Sequence, residues 1–331
     1  MEETVVSIHC MAYNHESFIA DALNGFVSQK CSFRYEVIVH DDASTDKTAE
    51  IIREYERKYP DIIKPIYQKE NQYSKQVNIL FGHVLPRATG KYIACCEGDD
   101  YWVDPYKLQK QVDYMESHPD CTFCFTNGYI EDVSHRSAKR PFIPYSAADA
   151  RYFQGHDRDY TLDNFYELEF IPTASFLFPR KTLESMQELY LSNTCPTGDL
   201  KLRLYMCSQG YAHYIHEATC VYRENVPNSA MTRWKKDERA KVYKRAKEIA
   251  DMITGLDTFT QAEYTDGLSK FLDAHTLSML NQARSFAVFQ DERCWKRFLK
   301  CSPAVKCKII LKILMPEPLY QFIHNSLKNG K

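Results

Sequence analysis

Four apolar runs of strand length fall between residues 5 and 96, and stretches with helical periodicity separate them. The runs are 5–12, 35–40, 62–67 and 91–96. Between them, Phe18, Ile19, Ala22, Leu23, Phe26 and Val27 share one helical face. Ile51, Ile52 and Tyr55 mark a second helix, and Ile79, Leu80 and Val84 a third, over 75–86. Alternation of this kind predicts an α/β fold, a parallel sheet with helices on both faces. In such sheets ligands bind beyond the carboxyl ends of the strands.

Three of those ends carry polar clusters: Tyr13-Asn14, Asp41-Asp42, and Glu97 with Asp99 and Asp100. The last is the sharpest. The apolar run Lys91 to Cys96 stops, and three carboxylates follow within four positions. Like charges this close repel and lose hydration if buried, so they need water, a partner or a cation. A solvated acidic turn is the plain reading. The alternative is a hard divalent ion, which binds one or two carboxylates plus phosphate oxygens. The loop after the first run, Met11 to Glu16, lacks GxGxxG, and no GxxxxGK[ST] occurs anywhere. A bound pyrophosphate would need another anchor, and metal on carboxylates is the natural one.

Further along, 121–126 reads as a strand; its Cys121 and Cys124 have CxxC spacing but no second Cys/His pair, which favours a core strand over zinc. Residues 132–160 read as a polar loop or insertion lining substrate, and apolar structure resumes over 170–178. Thr197-Gly198-Asp199 precedes the helical pattern Leu200 to Met206, so Asp199 reads as an N-cap or as a base at a helix mouth. From Lys235 the chain turns to charged helices, Lys235 to Ile253 and Glu263 to Phe289. Residues 305–315 mix lysines with bulky apolar side chains, a pattern that fits packing on the domain or peripheral contact with an anionic membrane.

A formal charge of −2 gives no basic field for nucleic acid. The acidic start Met1 to Thr4 is unlike a signal peptide, and no apolar stretch reaches the ~20 residues of a membrane span. Twelve cysteines, mostly in apolar runs, then read as reduced core residues of a cytoplasmic protein.

Three stretches, VVSIHCMAYNHESFIADALNGFVSQ, YEVIVHDDASTDKTAEII and ATGKYIACCEGDDYWVDPYKLQKQVDYM, resemble family 2 glycosyltransferases of the GT-A fold, in order and spacing. The resemblance is strong over 5–130, weaker over 170–225 and lacking beyond. It implies a GT-A domain over 1–230, with a nucleotide-sugar half (1–130) and an acceptor half (131–230), then a helical region over 231–331. It implies inverting transfer from a nucleotide diphosphate sugar, usually UDP-linked, with Mn²⁺ or Mg²⁺, to a glycan or lipid-linked acceptor in bacterial surface polysaccharide synthesis.

Position by position, Ala12, Tyr13 and Asn14 match the loop that contacts the nucleotide. Asp42 matches the aspartate that binds uracil or ribose, with Asp41 beside it. Asp99 and Asp100 match the metal and nucleotide carboxylates; the usual Asp-x-Asp is here Glu97-Gly98-Asp99-Asp100, and Asp100 is the first choice of metal ligand. Asp199 matches the base. Many relatives place a histidine two residues after Tyr-Arg, but Tyr222-Arg223 is followed by Glu224-Asn225. Processive members carry Gln-x-x-Arg-Trp; here Ala230 precedes Arg233-Trp234, which implies a non-processive enzyme. A nucleotidyltransferase, an inactive nucleotide- or sugar-binding module and a scaffold of a polysaccharide assembly are the competing classes.

Overall fold

The computed structural model describes residues 3–134, 138–146, 149–168, 170–192, 195, 197–227, 229–234, 238–316 and 319. By its contacts the chain divides into two compact units, 1–192 with 202–232, and 193–201 with 233–331.

Unit 1 is built on one sheet. In chain order its elements are β1 (Thr4–Ala12), α1 (Ile19–Val27), β2 (Arg34–Asp41), α2 (Thr48–Lys58), β3 (Ile63–Tyr67), β4 (Tyr92–Cys95), β5 (Tyr101–Trp102) and α3 (Lys107–Ser117). There follow β6 (Cys121–Asp132), β7 (Arg140–Pro141), β8 (Arg158–Tyr160), β9 (Leu177–Pro179), α4 (Arg180–Ser185), α5 (Gln187–Ser192), α6 (Gly198–Cys207) and β10 (Tyr211–Glu224). The sheet order is β3-β2-β1-β4-β9-β6-β10-β5, with β7 beside β6 and β8 beside β10. Strands β3, β2, β1 and β4 run parallel, as the alternation predicts. The other half is mixed, because β9 enters antiparallel between β4 and β6.

Burial follows the pattern of the sequence. Val6, Ile8, Cys10, Val37, Val39 and Ala94 are fully enclosed in the sheet, and Leu23 and Phe26 of α1 cover one face. Each large side chain so enclosed stabilises the fold by about 1.5–3 kcal/mol. Trp102 packs edge-on against Phe26, with ring centroids 4.9 Å apart, and its indole N–H donates to the Ala174 carbonyl at 2.7 Å. Cys121 and Cys124 are buried on β6, and all twelve cysteines are free thiols.

Two sequence expectations change. The helix expected over 75–86 is only a turn of 3-10 helix, Tyr73–Lys75, and a π-helical turn, Leu80–Val84. Gln76 takes a φ of 61°, which breaks any helix before it, and the Leu85 N–H closes the wider turn onto the Leu80 carbonyl at 2.8 Å. The stretch 132–160 is not a plain loop in its described part: β7 and β8 find unpaired edges on β6 and β10. The start of the charged helix at Lys235 lies outside the described residues.

The boundary at 232 falls within α7 (Ala230–Trp234), and unit 2 holds α8 (Arg239–Phe259), α9 (Thr265–Gln282), α10 (Glu292–Lys300) and α11 (Pro303–Leu314). Its core joins Ala246, Ala250, Met279, Leu280, Cys294 and Ile309. Among the described residues no helix is long and apolar enough to cross a membrane.

Candidate active site

The carboxyl ends of β2, β1 and β4 lie side by side, and their loops are tied together. β1 ends at Ala12, and Asn14 turns the chain with a φ of 56°, a left-handed conformation that asparagine tolerates. The Asn14 side chain accepts from the Thr45 N–H at 2.8 Å, while its own N–H donates to Ser44 Oγ at 2.9 Å. The His15 N–H donates to Thr48 Oγ1 at 2.7 Å. These bonds fasten the first loop to the second. On the other flank the Gly98 N–H donates to the Met11 carbonyl at 2.8 Å. A Cβ on Gly98 would stand 2.9 Å from His15 Nδ1 and 3.1 Å from Ala12 Cβ, so only glycine lets the carboxylate turn lie this close to β1. One sheet edge therefore gathers Ala12, Tyr13, Asn14, Asp41, Asp42, Glu97, Asp99 and Asp100.

The carboxylates differ in what they already hold. Asp42 is buried, and its two oxygens accept the Gln72 and Tyr73 N–H groups at 2.7 and 3.0 Å. Its own N–H donates to the Ala12 carbonyl at 2.9 Å. Sequence reasoning assigned it to the nucleotide; the fold already uses its carboxylate to hold the loop after β3. Asp41 beside it is buried with Oδ1 unpartnered. Burial raises its pKa, against the pull of Ser44, which donates to it. Asn14 is likewise engaged in the fold, Ala12 is fully buried, and Tyr13 is exposed at the rim.

Asp100 stands apart. It is 1 % exposed; one oxygen accepts the Arg223 N–H at 2.8 Å, and the other has no donor at all. Burial pushes its pKa well above the ordinary carboxylate range, and the charges of Asp99 and Glu97 push the same way. Asp99 is half-buried, with Oδ2 3.9 Å from His15 Nε2. Glu97 is half-buried in the same turn.

Two side chains at this edge escaped the sequence reading. Arg223, at the end of β10, clamps the carboxylate turn from the strand that pairs with β5. Its guanidinium donates to the Asp99 carbonyl at 3.1 Å, pairs with Asp21 and with Glu131 at 3.3 Å, and stacks on Phe18 and Tyr101. Tyr222-Arg223 was visible as a strand end, but its link to Asp100 joins neighbouring strands whose residues lie 123 positions apart in the chain, and leaves no local trace. His15 was read only as part of a loop; its enclosed Nδ1 has no partner. Glu224, where relatives continue toward a histidine, is turned to Tyr145 at 3.4 Å and Arg140 at 3.6 Å.

The divalent ion that the resemblance implies fits this donor set. A buried carboxylate oxygen without a partner, next to a second carboxylate, is a site that a hard cation would satisfy. Among the described residues no three His, Cys, Asp or Glu side chains stand together as a preformed cage. Two carboxylates would leave the remaining ligand positions to phosphate oxygens and water.

Asp199 occupies the first turn of α6 and is half-buried. The helix opens on the Lys201 N–H to Thr197 carbonyl bond, 3.1 Å, so Thr197 and not Asp199 stands at the cap position. Among the described residues the Asp199 carboxylate accepts no hydrogen bond, which removes the capping explanation. Residues 193–201 group with unit 2.

A mixed sheet flanked by helices, with an acidic edge beyond its parallel strands, defines the GT-A class of fold. Within that class the chain belongs to a particular family: residues 7–185 match glycosyl transferase family 2. An uncharacterized protein of Mycobacterium tuberculosis, Rv1520, is 41 % identical over 178 residues, covering 53 % of this chain and 47 % of that one. The Escherichia coli protein WfaP, named UDP-Glc:alpha-D-GlcNAc-diphosphoundecaprenol beta-1,3-glucosyltransferase, is 35 % identical over 127 residues, 38 % of this chain and 47 % of its own. The chain thus spans about half the length of the curated relatives it matches. The structure of S. aureus TarS 1–349 with UDP-GlcNAc superposes with a TM-score of 0.57 at 18 % identity, over 96 % of this chain and 83 % of that one. At that identity the likeness concerns the fold.

Proposed function

We propose that this chain is an inverting, non-processive glycosyltransferase. It moves a hexosyl or N-acetylhexosaminyl group from a UDP-sugar to a hydroxyl of a glycan or lipid-linked acceptor, in the synthesis of a bacterial surface polysaccharide. The reading is carried by the unpartnered, buried oxygen of Asp100 at the edge where the loops of β1, β2 and β4 meet. Family membership and relatives named for sugar transfer support it.

In this reading Tyr13 and Asp41 face the nucleoside, while Asn14 and Asp42 hold the two loops that frame it. Asp100 and Asp99 would hold Mn²⁺ or Mg²⁺, which supplies Lewis acidity to the departing diphosphate. Arg223 keeps the two carboxylates in place. Asp199 takes the proton of the acceptor hydroxyl as its oxygen attacks the anomeric carbon and the bond to the diphosphate breaks. A base of this kind contributes typically 10²–10⁴-fold. Ala230 at the place of the processive glutamine favours single transfers.

The test is a donor screen that reads released nucleoside diphosphate from UDP-, GDP- and dTDP-sugars with Mn²⁺. Turnover of a UDP-sugar that is lost in Asp100→Ala supports the proposal. No turnover with any donor, alongside UDP binding, would make the protein a binding or scaffold member of the family.

A further inference from the structure

The helices of unit 2 turn an apolar surface to solvent. In unit 1 most of the exposed large apolar side chains are tyrosines, whose hydroxyls suit water; in unit 2 they are Phe, Trp, Leu and Val. On α11, Ile309 and Ile313 point into the core, yet Ala304, Cys307, Leu311 and Leu314 are exposed at the spacing of a single helical stripe. Leu311 and Leu314 are each 62 % exposed. On α10 the exposed pair is Trp295 and Leu299, one turn apart. The apolar stripe opposite Ile309 and Ile313 is left without the packing that those two have.

Charge decides what could cover that side. From Glu292 to Leu314 the chain holds Lys296, Lys300, Lys306, Lys308 and Lys312, with Glu292 as the single carboxylate. Arg293 and Arg297 are turned to Asp291, Asp251 and Asp273. Lys296 pairs with Glu292. Lys300 and Lys308, both exposed beside the apolar stripes, have no carboxylate partner among the described residues. A second copy docked through this face would bring lysines against lysines, since a two-fold interface sets a patch on itself. An apolar stripe edged with unpaired lysines and an exposed tryptophan instead matches a bilayer surface with anionic headgroups.

We propose that α10 and α11 form a peripheral docking surface for anionic lipid. Leu311, Leu314, Trp295 and Leu299 enter the headgroup region, and Lys300 and Lys308 meet the phosphates. The surface uses none of the residues named for the transfer reaction, so the two proposals stand or fall separately.

The test is flotation of the full chain with vesicles of phosphatidylcholine, with and without phosphatidylglycerol, at low and high salt. The wild type floats with the anionic vesicles only, and salt releases it. Lys300→Ala with Lys308→Ala removes two contacts worth about 1 kcal/mol each, a loss of about thirtyfold in affinity. Leu311→Glu with Leu314→Glu loses at least about tenfold, with an unchanged circular dichroism spectrum. Leu191→Glu, on the exposed side of α5, leaves binding intact. The proposal is overturned if the wild type ignores anionic vesicles or if both double variants bind as well as it does. Concentration-dependent dimers abolished by Leu311→Glu would give the face to a second copy. Vesicle binding gained only on truncation after Pro316 would give it to the chain's own C-terminal segment.

Discussion

Replacing Asp100 by asparagine separates what the carboxylate costs the fold from what it does for a ligand. Asp100 is enclosed, with one oxygen on the Arg223 N–H and the other bare. Burial, then Asp99 and Glu97, raise its pKa from 3.8. Without a cation the folded protein must either keep a buried charge or take up a proton. Taking up a proton costs a carboxyl of pKa 3.8 about 1.4 kcal/mol per pH unit, which caps the penalty near ~4 kcal/mol at pH 7. Asparagine keeps the acceptor for Arg223 and loses the charge, while its unpaired amide N–H returns about 1 kcal/mol of cost. Asp100→Asn is therefore expected to stabilise the ligand-free protein by about 1–3 kcal/mol at pH 7.

The pH dependence carries the proof. The folded pKa lies above the unfolded one, so across that window the folded protein holds more protons than the unfolded chain. Wild-type stability falls as pH rises through the window, and asparagine moves with it from slightly unfavourable at about pH 4 to favourable at neutral pH. Urea denaturation of both proteins in chelator, from about pH 4 to about pH 8, measures this. Adding Mn²⁺ with UDP should then stabilise the wild type and leave the variant where it was. A variant less stable than the wild type at neutral pH, or a difference that does not move with pH, would refute the reasoning.

Asp199→Asn should keep calorimetric binding of UDP-sugar and lose about 10²–10⁴ in transfer rate; full turnover would strip Asp199 of the role. Asp42→Ala leaves the Gln72 and Tyr73 N–H groups without their acceptor, and should lower unfolding free energy by about 2–4 kcal/mol; an unchanged urea midpoint would show that the loop does not depend on it. His9 and His40 are held down to about 4 by burial, with the charge of His40 adding to it at His9, and that of His83 adding to it at His40 against the pull of Asp42. The unfolded chain takes up protons below about pH 6.5 that these two refuse, so stability should fall between about pH 6.5 and pH 4, by up to about 3 kcal/mol for the fully buried His40. His40→Gln should flatten that limb of the pH–stability curve, and an identical limb would exclude His40 as its source.

Periodicity alone located β1 to β4 and the three polar clusters, because burial on a sheet or helix face writes itself into every second or every third to fourth residue. It also placed Asp41, Asp42, Asp99 and Asp100 at one edge, since parallel strands must end on the same side. It could not say which carboxylates are spoken for. Asp42 is consumed by backbone from residues 72 and 73, thirty positions away, while Asp100 is left with a bare oxygen under a clamp from Arg223. The antiparallel entry of β9 and the π-helical turn at Leu80–Val84 were hidden for the same cause. A hydrophobic pattern is a local property of the chain, but a hydrogen bond's partner is chosen only when distant segments are brought within about 3 Å of each other.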